Sequence, residues 1–184
     1  GDLEAAIESY KKAIKIKPDY ADSHNNMGIA LNHKGDLVAA ISSYKRALKI
    51  KPDYAQAYNN MGNTLKEKGD LDAAISSYKL ALRIKPDYAQ AHNNMGNTLK
   101  EKGDLDAAIK SYKQAIKIRP NDAEGHSNLG NALQLLNQTE QAIVSYEKAI
   151  SLKKDFNAAI SGLGNVLLKK GEHSEGLDKL RQSE

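Results

Sequence analysis

Two series of asparagines carry the chemistry that stands out in this chain. Asn26, Asn60, Asn94 and Asn128 follow one another at intervals of 34 residues. Asn63, Asn97, Asn131 and Asn165 keep the same interval. A carboxamide offers two donor hydrogens and an acceptor oxygen. It can pair with both the N–H and the C=O of an extended polypeptide, so a ladder of such groups suits recognition of backbone rather than of side chains. Gly162 interrupts the first series and Ile29 the second.

Other reactive residue types lead to no reaction. His24, His92 and His126 also recur in register. A metal shared by two of them would need both ring nitrogens within about 2.1 Å of it, whereas packed helices run about 8–10 Å apart. A packing role is therefore expected, and no metal site. Ser42, Ser43, Ser76 and Ser77 have no base that spacing would position. No Gly-x-Ser-x-Gly elbow and no Gly-x-x-x-x-Gly-Lys-Ser/Thr loop occurs. The chain reads as non-catalytic and needing no cofactor.

The asparagines are placed by a repeat. The same 34-residue step links Gly1, Gly35, Gly69 and Gly103, then Pro18, Pro52, Pro86 and Pro120, then Tyr10, Tyr44, Tyr78, Tyr112 and Tyr146. A fixed period of this size predicts an array of stacked supersecondary units, which offers an extended binding surface. Residues 55–88 and 89–122 differ at only eight positions, as recent duplication or consensus design would produce. Ile29, Thr139, Lys154 and Gly176 depart from the repeat and lean toward a natural chain.

Within 55–88, Pro52 stops the preceding helix. Asp53 with Gln56 is expected to form a capping box, as are Asp87 with Gln90 and Asn121 with Glu124. A first helix is predicted over residues 55–68, with Gly69 as its left-handed stop. Asp70 should cap a second helix over residues 71–84. Ala57, Met61, Gly62 and Leu65 share a face of the first helix. Leu71, Ala74, Ile75, Tyr78, Ala81 and Leu82 follow helical steps on the second. Gly62 and Ala74 permit a close crossing that Tyr78 fills out. Asn137 stands where glycine is usual and can take the same left-handed turn. Gly176 should loosen the last helix.

Composition adds exclusions. The formal charge is +4 and cysteine is absent. Disulfides and thiolate metal sites are therefore excluded, and a cytoplasmic location is expected. No apolar run approaches the roughly 18 residues that span a bilayer, so no membrane is implied. The basic residues gather at second-helix C-termini, where they complement the helix dipole. No aromatic residues interleave with them, so nucleic acid is not an expected partner.

The run from Asn59 through Pro86 resembles a tetratricopeptide repeat through its Gly62, Ala74, Tyr78, Ala81 and Pro86 set, with equivalents along the whole chain. The resemblance implies an all-α, right-handed superhelical solenoid of antiparallel helix pairs. Residues 1–20 would be the second helix of an incomplete repeat. Repeats would follow at 21–54, 55–88, 89–122 and 123–156, with a divergent last one at 157–184. It implies that first helices line a concave face, which would place all eight asparagines there as a peptide-binding ladder. That ladder is similar to the one in the tetratricopeptide arrays of protein O-GlcNAc transferases. Another mode in the family clamps a terminal carboxylate with inner-face cations. Asn59, Asn60, Asn93, Asn94, Ser127 and Asn128 hold those positions here, and none is a cation. The implied function is a protein-interaction scaffold whose partner is a protein or peptide. The alternatives are the targeting arm of a larger modifying enzyme, glycosyltransferase- or oxygenase-like, or a designed or structural array. Ala5, Ala6, Ile7, Tyr10, Ala13 and Ile14 at one end, with Leu177 and Leu180 at the other, are expected to support weak end-to-end self-association.

Overall fold

The computed structural model describes residues 3–183. Eleven helices and no strand occur among the described residues: α1 (Leu3–Ile16), α2 (Ala21–His33), α3 (Leu37–Ile50), α4 (Ala55–Glu67), α5 (Leu71–Ile84), α6 (Ala89–Lys102), α7 (Leu105–Ile118), α8 (Ala123–Leu135), α9 (Thr139–Leu152), α10 (Asn157–Lys170) and α11 (His173–Gln182). The chain divides into two compact units, residues 1–94 and 95–184, and the division falls within α6. No helix among the described residues is long and apolar enough to cross a membrane.

In the first unit α2 packs on α3 and α4 on α5 as helical hairpins, while α1 packs on α2 and α3 on α4. Each hairpin turn has one mechanism. The first helix ends on a residue that can take positive φ, such as Gly69 at φ 86. The next residue but one then starts a helix whose N–H groups an aspartate satisfies. Asp36 accepts from the Ala39 amide at 3.0 Å and Asp70 from the Ala73 amide at 3.1 Å. Substituting such a cap with alanine typically costs about 1 kcal/mol, so each Gly-Asp pair fixes the register of one hairpin.

The second unit repeats the plan, with α8 on α9 and α10 on α11. Asn137 takes φ 57 in place of glycine, as its short polar side chain allows. Gly176 also has a packing role. It is buried inside α11, where an added Cβ would lie 2.8 Å from Leu168 Cγ and 3.0 Å from the Gly164 carbonyl. The residue permits a close helix crossing.

The joints between hairpins correct another expectation. The N-cap residue of helix α4 is Tyr54, not Asp53, and it makes no side-chain cap bond. Asp53 serves the turn through its backbone carbonyl, which accepts from the Ala55 amide at 3.1 Å. Lys51 Nζ instead sits 4.9 Å above the Tyr54 ring, and Lys17 over Tyr20 repeats the arrangement at 5.1 Å. Where Asp122 replaces the aromatic, its carboxylate does the capping and accepts from the Glu124 and Gly125 amides. The cap of α8 is therefore Asp122 and not Asn121. An aromatic under a lysine and a capping carboxylate are alternative fillings of one position.

The core of each unit is a row of tyrosines laid on glycines. Tyr44, Tyr78, Tyr112 and Tyr146 are at most 1% exposed. A Cβ built on Gly28, Gly62 or Gly96 would fall 2.6 Å from the ring of the paired tyrosine. Glycine in a helix costs roughly 1 kcal/mol against alanine, and here the cost makes room for a ring. Ala74 is fully buried one turn before Tyr78 on α5. Ala74→Leu should destabilise by roughly 1–3 kcal/mol, the overpacking range. A denaturant titration with an unchanged midpoint would show that the α4–α5 crossing has slack.

At the ends, α2 covers Ile7 of α1, leaving it 6% exposed, and Lys34 pairs with Glu4 at 3.1 Å. Leu177 on α11 is exposed.

Candidate functional site

The asparagines lie on the first helix of each hairpin: α2, α4, α6, α8 and α10. Their partners divide them into groups that the sequence does not separate. In the first unit Asn25 and Asn59 are buried at 1% exposure, and each accepts a bond from the next repeat. Asn60 Nδ2 donates to Asn25 Oδ1 at 3.1 Å, and Asn94 Nδ2 donates to Asn59 Oδ1 at 3.0 Å. Asn25 Nδ2 in turn donates to Asn26 Oδ1 at 3.2 Å. Part of the first series thus satisfies buried amides between repeats.

The second series is held from beneath. The Tyr78 hydroxyl donates to Asn63 Oδ1 at 2.8 Å in the first unit. In the second unit Tyr112 donates to Asn97 Oδ1 and Tyr146 to Asn131 Oδ1, both at 2.7 Å. Each hydroxyl fixes an amide with its oxygen toward the core, which turns the Nδ2 end outward. Burial pushes the Tyr146 phenol up to about 12 and the Tyr112 phenol higher still, so both stay protonated and able to donate. Ile29 has no amide to offer Tyr44. Asn165 is exposed, and Leu180, standing where a tyrosine would be, has no hydroxyl to orient it. Asn26 and Asn128 are half-buried.

The histidines act as braces. Nε2 of His24, His92 and His126 donates to the carbonyl of Pro18, Pro86 and Pro120, at 2.9, 3.1 and 2.9 Å. Each bond ties a first helix to the turn that precedes it. Ser43 and Ser77 bond their own helix carbonyls, Ala39 and Ala73. Ser127 is buried.

Sequence reasoning missed a cleft in the second unit. About 490 Å³ in volume, it is lined by Lys100, Asn131, Gln134, Leu135, Asn137 and Lys169. Tyr146 also reaches Gln134 Oε1 at 2.8 Å, so one hydroxyl sits against two amide oxygens. The available signal was the change from Glu101 to Leu135 and then Lys169 at one repeat position.

The sequence and the fold agree with one family. The profile described as TPR repeat matches residues 1–35, 30–69, 62–103 and 96–137, and that described as Tetratricopeptide repeat matches 123–156. No curated protein sequence matches the chain. Among solved structures, a crystal structure of MamA is 27% identical with a TM-score of 0.80, over 85% of this chain and 92% of that one. A MamA fragment from Desulfovibrio magneticus RS-1 is 20% identical with a TM-score of 0.82, over 89% and 92%. YrrB, titled a TPR protein with an unusual peptide-binding site, is 21% identical with a TM-score of 0.79, over 96% and 91%. With hairpins built on the same glycine, alanine, tyrosine and proline set, this chain belongs to the tetratricopeptide repeat family.

Proposed function

We propose that the chain is a non-catalytic interaction scaffold that holds an extended peptide along the face formed by its first helices. Tetratricopeptide folds serve generally as protein-interaction scaffolds. The observation that carries the finer reading is the orientation of the amides by buried tyrosines. A flexible carboxamide would have to be ordered on binding, whereas Asn63, Asn97 and Asn131 are already fixed through Oδ1. Their Nδ2 groups recur once per repeat as donors for backbone carbonyls. Asn60 contributes the opposite polarity, because its Nδ2 is spent on Asn25. Each unit presents its own stretch: Asn26, Asn60, Asn63 and Asn94 in the first, Asn97, Asn128, Asn131 and Asn165 in the second. YrrB, whose title names a peptide-binding site, supports the same class of partner.

Asn60→Ala combined with Asn63→Ala should weaken a peptide selected from a random-sequence pool by roughly 0.5–1.5 kcal/mol per lost bond. The loss should not depend on the peptide's side chains. Lys79→Ala, at an exposed position on α5, should leave affinity unchanged. Titration calorimetry ranking Lys79 above the asparagine pair would move the site to the second helices.

A further inference from the structure

The second helices of the first unit carry a band of cations that its own acids do not use. Lys45, Arg46 and Lys49 are exposed on α3, and Lys79 and Arg83 on α5. The 34-residue step puts Lys45 in register with Lys79, and Lys15 of α1 in register with Lys49 and Arg83. Among the described residues, no carboxylate pairs with any of these six cations. The acids of the same helices sit at their opposite ends. Glu4 is held by Lys34 at 3.1 Å and Glu8 by Lys11 at 2.6 Å. Asp36 and Asp70 cap α3 and α5, and Asp72 lies in the first turn of α5. In the turns that follow, Lys51 is offset by Asp53 and Lys85 by Asp87.

The helix dipole accounts for only part of the band. Its influence fades beyond the last turn, which holds Lys49 on α3 and Arg83 on α5. Lys45, Arg46 and Lys79 lie before that turn. Helix α9 has no basic residue in its last turn and still spans Thr139–Leu152, so the fold does not require cations there. Along α5 an open depression of about 480 Å³ is lined by Ser76, Lys79, Leu80 and Arg83, with Leu80 offering apolar surface beside the two cations. The band is narrow. From Lys45 to Lys49 is one helical turn, about 6 Å at 1.5 Å per residue. A lipid surface or a nucleic-acid duplex would extend over the acids of the first turns as well. Single-stranded nucleic acid is held on aromatic platforms, and the aromatic residues of α3 and α5, Tyr44 and Tyr78, are buried. A single acidic polypeptide strand crossing the helices meets only the cations, as charge-assisted bonds require.

We propose that this band is a second docking surface, formed by second helices, for an acidic segment of a partner protein. It is separate from the asparagine ladder and stands whether or not the peptide-scaffold reading does. Peptides read by their backbone on the first helices do not use the band, so Lys79 stays neutral for them.

Fluorescence anisotropy with two labelled peptides of equal length tests it, one alternating Glu with Gly and the other Gln with Gly. At 0.1 M salt the Glu peptide should bind about tenfold more tightly than the Gln peptide, the scale of a few exposed ion pairs. At 1 M salt, where the screening length has fallen from about 10 Å to about 3 Å, that preference should vanish. The variants K45Q/R46Q/K49Q and K79Q/R83Q should each lower the preference about threefold, and the two combined should abolish it. N60A/N63A, on the first helix α4, should leave it unchanged. Equal binding of the two peptides, or of neither, would overturn the proposal, as would a preference that survives all five glutamine substitutions. A preference lost in N60A/N63A instead would place the acid site on the first helices and overturn it too. A DNA duplex or phosphatidylserine vesicles binding more tightly than the Glu peptide, through the same cations, would overturn the assignment of partner. All five substituted side chains are exposed, and circular dichroism melts matching the unmodified chain confirm that the variants fold.

Discussion

Tyr78→Ala should destabilise the chain by about 3–5 kcal/mol, the range for removing a large buried aromatic. The ring is fully buried and covers Gly62, which has no side chain to refill the space. Relaxation would require α4 and α5 to close over a gap that their Gly69–Asp70 turn already fixes. Tyr78→Phe separates two contributions. It keeps the ring on Gly62 and removes the hydroxyl with its bond to Asn63 Oδ1, so about 0.5–1.5 kcal/mol per lost bond is expected. Denaturant titrations of the two variants check this. Similar losses for both would place the stabilisation in the hydroxyl and contradict the ring-on-glycine account. Because stability in a repeat array is shared between neighbouring units, a broadened transition in Tyr78→Ala is expected too.

Alkaline pH should unfold the chain through the same tyrosines. Burial raises the phenols of Tyr44 and Tyr146 from the ordinary 10 to about 12, and Tyr112 further. In the unfolded chain these groups lose their protons near pH 10. Between pH 10 and 12 the folded state therefore binds more protons than the unfolded one, and stability falls as pH rises. Below pH 10 the full stabilisation is present. Thermal melts across that window should show a steep fall in midpoint, with the tyrosinate absorbance of the buried rings appearing together with the loss of helix. Tyr44→Phe should flatten the pH dependence, since phenylalanine has no proton to lose. A midpoint that tracks pH identically in both proteins would assign the transition to other groups, such as the lysines.

The hairpin register was legible in the sequence because its causes are local. Gly69 and Asp70 act through one φ angle and one side-chain bond to an amide three residues on. The second helix, expected over residues 71–84, accordingly spans Leu71–Ile84. Asn137 was readable as a left-handed turn for the same reason. The joints were less legible. Asp53 and Tyr54 both suit the start of α4, and the outcome depends on a lysine three residues earlier sitting over the ring. The packing role of Gly176 was not legible, because its small size answers to Gly164 and Leu168 on another helix.

By itself the sequence determined the period, the helix pairs and the rows of asparagine along first helices, since each follows from residue type and spacing along one segment. The tertiary structure alone decided what each asparagine does. A carboxamide has a donor end and an acceptor end of nearly equal size, and nothing in its own helix chooses between them. Tyr78 chooses for Asn63 by taking its oxygen, and Asn25 chooses for Asn60 by taking its nitrogen. The cleft at Lys100 and Lys169 arises in the same way, from side chains 69 residues apart in sequence that three first helices bring to one opening. Its lining is a property of assembled surfaces and not of any single stretch of chain.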